Sequence, residues 1–358
     1  MRRQFSRALL ASFAAVALLA AGAPARGEEL LFALFGSYLE ALRVQAGIPG
    51  LSVVVVGQND ILWERYFGKP DVDRSDPTSA STLFELDGVT QVFTSALALQ
   101  CVEQGRLSLD ERIGNFQRGT PDGEATIAQL LSHTYGTPGN LAFTYDLSRV
   151  DPLAAVIRKC TGNSYRENIS TLLERLAMMD SVPGLDAATL KPPSEGMPDA
   201  DTAARYADAL QRLAVPYTVD ARTNRATRAE YTATTLTASS GLISTARDLA
   251  QFDLALKQDL LLQPETLALA WRAPVDRLGM PLPHGLGWFV QTYKGQPVAW
   301  QFGMSAGASS SLIVTLPSLR ITLIALANSD GLTKPFALAS GDVTKTPFGR
   351  LFLELFVR

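Results

Sequence analysis

The chain has 358 residues, of which 47% are hydrophobic and 19% charged, and its formal net charge is −3. That composition belongs to a globular protein with enough apolar material for one large domain or two intimately joined ones, and it speaks against a nucleic-acid partner, which would need a basic face. With two cysteines and only His133 and His284, the chain also lacks the ligand supply and spacing of a zinc centre, and no metal or cofactor is expected.

Arg2, Arg3 and Arg7 precede the apolar run ALLASFAAVALLAAGA, and Ala23-Pro24-Ala25 follows as a small-x-small cleavage site. This layout predicts a signal peptide over residues 1–25, cleaved after Ala25, and hence a periplasmic or secreted protein. The run is shorter than the roughly 20 residues of a membrane-spanning helix, so no span is expected after cleavage. Leu31, Leu34, Phe35, Tyr38, Leu39 and Leu42 then fall on one helical stripe, which Ile48-Pro49-Gly50 ends. The β-branched run LSVVVVG (51–57) and ILWERYFG (61–68), joined through Gln58-Asn59-Asp60, predict an antiparallel hairpin.

Helical patterns dominate from Leu86 to about Glu230, beginning with a helix to Gly105 for which Asp87 is the expected N-cap. Cys101 and Cys160 fall inside such helices. Two buried thiols are the favoured expectation, because free cysteine packs as a small hydrophobe, although an oxidising compartment would permit their pairing. Strand signals return from Trp288 in GWFVQTY, PVAWQFG, SSLIVTL and ITLIALAN. The chain closes on a helix with Thr346 as cap, Pro347 in first position, and Phe348, Leu351, Phe352, Leu355 and Phe356 on its core face. The order predicts an α/β (α+β) fold: an antiparallel sheet drawn from both ends of the mature chain 26–358, flanked by helices. The α/β part covers about 29–85 and 236–358, and an inserted all-helical part about 86–235.

Several stretches occur in an order that resembles one family. IPGLSVVVV, TLFELDGVTQVFT, GRLSLDERI, IAQLLSHTYG, LAMMDS, SGLISTARDLAQFDLAL, HGLGWFV, QFGMSAGASSSLIVTLP and IALANSDGL run from Ile48 towards the C-terminus. They resemble the serine β-lactamases and penicillin-binding-protein-like hydrolases, above all class C β-lactamases with their esterase and D-aminopeptidase relatives. The resemblance implies a β-lactamase/transpeptidase-like fold and a serine-hydrolase site built on three motifs.

Each motif departs from the family pattern. Ser-x-x-Lys at a helix start places nucleophile and base on one face. Here Gly88 stands at the serine and Gln91 at the lysine, and no Ser-x-x-Lys or Thr-x-x-Lys occurs anywhere in the chain. Tyr-x-Asn keeps Tyr145 but has Leu147 for the asparagine. The basic residue of Lys/His-x-Gly is Gln301, and only Gly303 remains. The resemblance also implies an oxyanion hole from the backbone N–H groups of Gly88 and Met304.

Gly303-Met304-Ser305-Ala306-Gly307 matches G-x-S-x-G, but a strand follows it and no histidine lies beyond His284, so the nucleophile-elbow context is missing. His133 lies in a stretch with a structural role in the family. Two functions are expected as alternatives. The first is a catalytically inactive, exported pseudo-hydrolase that binds a peptide-like or carboxylate ligand or a protein partner. The second is an active ester or amide hydrolase with an atypical nucleophile such as Thr90, whose hydroxyl lacks a lysine or histidine base in sequence.

Overall fold

The computed structural model describes residues 27–191, 194, 196–220 and 222–357. The signal-peptide expectation therefore falls outside the described residues. After a first helix, α1 (residues 27–45), come strands β1 (Gly50–Val56) and β2 (Ile61–Gly68). Near the other end lie β3 (Phe289–Tyr293), β4 (Gln296–Ser305), β5 (Ser309–Leu316) and β6 (Ile321–Ala327). All six form one antiparallel sheet in the order β3-β4-β5-β6-β1-β2, closed across the chain ends by pairs such as Leu51↔Ala327 and Val54↔Ile324.

The β-branched run of β1 is buried along its whole length because helices cover both faces of the sheet. Side chains of a strand alternate between faces. Leu51, Val53 and Val55 accordingly join the aromatic cluster of α1 and the last helix, whereas Val54 and Val56 join the cluster beneath the helical part. On the first face, Phe35 meets Phe356 of the last helix (Pro347–Phe356) edge-on, with ring centroids 5.6 Å apart. On the second, helix α2 (Thr90–Glu103) and helix α3 (Ala246–Lys257) are locked by Phe93 and Phe252, 4.1 Å apart.

The structure corrects four expectations. The buried stripe of α1 is Phe32, Phe35 and Leu39, while Leu34 and Tyr38 point outward, because Trp63 and Phe356 set which face of the helix is covered. Thr346 precedes Pro347 but makes no side-chain cap; its hydroxyl donates to the carbonyl of Leu332 instead. The segment expected to be helical also holds the hairpin Thr134–Thr137 with Asn140–Phe143 and a second, Tyr217–Val219 with Ala226–Arg228. Finally, Cys101 of α2 and Cys160, on the helix Leu153–Thr161, are not two thiols but a disulfide. Their helices pack side by side with the Cα atoms 6.3 Å apart, within bridging reach. Among the described residues, no helix is long and apolar enough to cross a membrane.

Candidate functional site

The short strand Phe84–Glu85 pairs with Leu242–Ser244 and leads into a single 3-10 turn, Asp87–Val89, which α2 continues from Thr90. Asp87 is not the helix cap. It adopts a positive φ of 46°, a conformation Asp tolerates better than most residues, and no side chain caps α2. Its carboxyl is buried beside the N–H of Gly88, which favours the ionised form. Burial pushes Asp87 up to about 6. Burial together with the neighbouring charge of Asp87 pushes Glu85 up to about 8.

Strand β4 lies directly on this turn. A Cβ on Gly303 would fall 2.0 Å from the carbonyl oxygen of Leu86, which is why the glycine stands there. A Cβ on Gly88 would fall 2.6 Å from the carbonyl oxygen of Phe302, and 3.2 Å from both Leu147 Cδ2 and Tyr145 Oη. Leu147 and Tyr145 thus occupy the space that a side chain at position 88 would enter. Met304 sits further along β4, past the last pair with β3 at Trp300.

The structure brings Gln91, Tyr145, Gln301 and both histidines together in one directed chain of hydrogen bonds. The N–H of Asp146 donates to His133 Nδ1 at 3.3 Å, which leaves His133 Nε2–H to donate to Gln91 Oε1 at 2.7 Å. Gln91 Nε2 donates to Tyr145 Oη at 3.1 Å and also contacts the carbonyl of Gly88 at 3.3 Å. Tyr145 then donates to Gln301 Oε1 at 3.3 Å. Gln301 Nε2 donates to His284 Nε2 at 3.4 Å and to the carbonyl of Gly287 at 3.1 Å. His284 Nδ1–H ends the chain on the carbonyl of Gly285 at 2.8 Å. The partners assign one tautomer to each imidazole and one orientation to each amide.

Every member is neutral. Burial pushes His133 down to about 3, and burial followed by the nearby His133 holds His284 well below the usual range. Burial lifts the Tyr145 hydroxyl well above its ordinary range, so it is a donor and not a phenolate. Gln91, Gln301, His133 and His284 are all fully enclosed. Thr90 is buried as well, and its hydroxyl accepts from the N–H of Leu242 at 3.3 Å, away from any base. Ser305 ends β4 before a hairpin to β5, so its G-x-S-x-G sits in a strand-turn-strand.

The hydrogen-bond chain itself contains no serine, cysteine, lysine or arginine side chain. Beside it opens a cleft of about 510 Å³ whose walls include Tyr145, Leu147, Phe302, Met304 and Leu338, with Lys334 at its edge paired to Asp330 at 2.8 Å. Most of the cleft wall is apolar, and Thr144, Asp146, Thr333 and Lys334 supply its polar groups. Among the described residues no cluster of three or more His, Cys, Asp or Glu gathers to hold a metal. The part of His284 in the chain carried no sequence signal, since it reaches Gln301 only through the pairing of β3 with β4.

Residues 34–345 match the family model described as Beta-lactamase. The chain is 32% identical over 128 residues to penicillin-binding protein 4 of Amycolatopsis lactamdurans, a match covering 34% of this chain and 33% of that protein. It spans a third or less of the length of the curated relatives it matches first. The octameric penicillin-binding protein homologue from Pyrococcus abyssi superposes with a TM-score of 0.70 at 19% identity, over 84% of this chain and 74% of that one. A class C beta lactamase from Rhodobacter sphaeroides does so with 0.63 at 19% identity, over 90% and 97%. These structural likenesses establish the β-lactamase/transpeptidase-like fold.

Proposed function

This chain belongs to the beta-lactamase family, and we propose that it is an exported, non-hydrolytic member that holds a peptide-like or carboxylate ligand, or the end of a protein partner, in the apolar cleft beside the vacated site. The observation that carries this proposal is the neutral hydrogen-bond chain from Asp146 to Gly285, which joins the serine-, lysine- and basic-strand positions of the family without a nucleophile or base among them. Loss of a catalytic triad in a serine hydrolase removes on the order of 10⁶ in rate. Here the nucleophile position has, in addition, no room for a side chain. The signal-like start and the Cys101–Cys160 disulfide support export, because such bridges persist in oxidising compartments.

The chemical half is tested by intact mass after incubation with a β-lactam and with an activated ester. The mass is expected to stay unchanged; a covalent adduct would sink the proposal. Installing Gly88→Ser with Gln91→Lys is expected to yield no acyl-enzyme either, because a serine Cβ collides with the backbone of β4. The binding half is tested by calorimetric titration with short peptides bearing a free carboxylate. Heat of binding should appear with the parent protein and vanish in Ala337→Trp, which fills the cleft; a titration without heat removes the ligand from the proposal.

A further inference from the structure

We propose that three turns at one pole of the sheet, 272–283, 294–295 and 317–320, form a docking face that seats the protein on a bilayer containing anionic phospholipid. Tyr293 pairs with Gln296 where β3 turns into β4, and Leu316 pairs with Ile321 where β5 turns into β6. Since β4 and β5 are antiparallel neighbours, with Ala299 opposite Thr315, both turns leave the sheet at the same end. The segment 272–283 meets them there. The carbonyl of Pro283 accepts from the N–H of Val290, and Pro281, Thr292, Pro297 and Pro317 wall one hollow. The cleft beside the vacated site borders the opposite end of β4, at Phe302 and Met304, and shares no lining residue with this hollow. The docking face is therefore independent of the function assigned to the cleft.

The tip of the face is prebuilt. Asp276 Oδ1 accepts from the N–H groups of Leu278 and Met280 at 2.8 and 2.9 Å. The Asp276 carbonyl accepts from the N–H of Gly279 at 3.1 Å, and the Asp276 N–H donates to the carbonyl of Met280 at 2.9 Å. Gly279 takes a φ of +76°, and a Cβ there would meet nothing within 4 Å. The side chains this turn holds outward are apolar: Leu278 is 74% exposed, Met280 59% and Val275 49%, while Leu319 of the neighbouring turn is 47% exposed. Exposed apolar residues gathered at one place mark an interaction site. The N–H groups of Leu278, Gly279 and Met280 have internal acceptors, and Pro281 has no N–H. The tip therefore leaves water without stranding these backbone donors.

Shape and charge select a bilayer as the occupant. A convex tip whose donors are satisfied offers an extended peptide no strand edge to pair with, whereas it fits the boundary between lipid headgroups and acyl chains. Arg272, Arg277, Lys294 and Arg320 are exposed on these three turns. They stand against a single carboxylate, Asp276, which the tip's own N–H groups hold. Among the described residues none of the four cations forms an ion pair, and only Lys294 has a side-chain hydrogen bond, to the carbonyl of Val357 at 3.5 Å. The next turn at this end, between β1 and β2, carries Asp60 and stands beyond β6. Cations placed around a few exposed apolar side chains match an anionic lipid surface, because each one adds to the attraction while the apolar groups enter the acyl boundary.

The test is co-sedimentation of the protein, purified from its full-length gene, with vesicles of phosphatidylcholine alone or with added phosphatidylglycerol. Saturable binding to the mixed vesicles is expected, weakened about tenfold or more at high salt or without phosphatidylglycerol. Arg272→Gln and Arg277→Gln should each weaken it about fivefold. Leu278→Ser with Met280→Ser should weaken it about tenfold or more. All four positions are exposed, so these variants should melt at the temperature of the parent protein. In a Leu278→Trp variant the emission of the new indole should shift to the blue when mixed vesicles are added. Absence of binding, equal binding to phosphatidylcholine alone, or an unshifted indole overturns the proposal. So does binding that the double serine variant leaves unchanged, which would place the contact elsewhere on the chain. A dimer that the double serine variant converts to a monomer would assign the face to a second copy and overturn it as well.

Discussion

Two buried positions in this protein face the same physical problem and solve it in opposite ways. Lys257, the last residue of α3, is enclosed yet charged: its ammonium donates to the carbonyls of Val56 and Gly57 at 3.1 and 3.0 Å and pairs with Asp253 at 2.6 Å. Asp253 in turn accepts from Thr322 at 2.8 Å, and the end of the helix favours a cation there. Burial holds Asp253 above and Lys257 below their ordinary values, and their mutual attraction opposes both shifts without cancelling them. Position 91 carries an amide instead, with a histidine as donor and a tyrosine and a carbonyl as acceptors, all neutral. A buried ammonium is stable only with a counter-ion and acceptors around it. The frame meets that condition under the sheet and no longer meets it where the family places its catalytic lysine.

The most direct way to break this contrast is Lys257→Met. It strands the Asp253 carboxylate, and urea unfolding should show a loss of about 3–5 kcal/mol, largely restored when Asp253→Leu is added. A loss under about 1 kcal/mol would mean that the pair is not what holds the charge. The converse substitution, Gln91→Lys, puts an ammonium among neutral partners and should cost about 3 kcal/mol at pH 7. A lysine there has its pKa lowered by burial, so the penalty is expected to shrink as pH rises towards that of free lysine and to grow as pH falls.

Glu85 sharpens the contrast from the acidic side. Its folded value of about 8, against 4.5 for the free group, means that the fold keeps a proton the unfolded chain releases. Stability from this group is complete below about 4.5 and is lost as pH rises through about 8. Glu85→Gln should therefore stabilise the protein at pH 8 by on the order of 2 kcal/mol and flatten its pH profile between those limits, measured by denaturation at several pH values. The smallest effect belongs to Tyr145→Phe. Removing one link of a neutral chain should cost about 1 kcal/mol, and a much larger loss would mean that the links reinforce one another strongly.

The pattern of residues carried the architecture further than it carried the site. The β-branched run LSVVVVG and the returning strands after Trp288 announce a sheet made from both chain ends, because β-branching is a local property. Phe84 and Phe93 likewise place Gly88 and Gln91 at the family's positions without a gap. What happens around them is not local. Gln91 and Gln301 are 210 positions apart, and only the packing of α2 against β4 lets Tyr145 bridge them. The same holds for the pairing of Cys101 with Cys160, across 59 positions, and for the face of α1 that is buried. Asp87 misled for a different reason: an acidic residue before a helix signals a cap, but the 3-10 turn takes up the approach and turns the carboxyl inward.

The contact between Gly88 and the Phe302 carbonyl also has a consequence for the history open to this chain. A serine at 88 must first push β4 away, and a lysine at 91 must first find a counter-charge, so each single substitution lowers stability on its own. With two destabilising first steps, a serine-lysine pair has no neutral route into these positions. The packing acts as a ratchet that holds glycine and glutamine in place at these two positions.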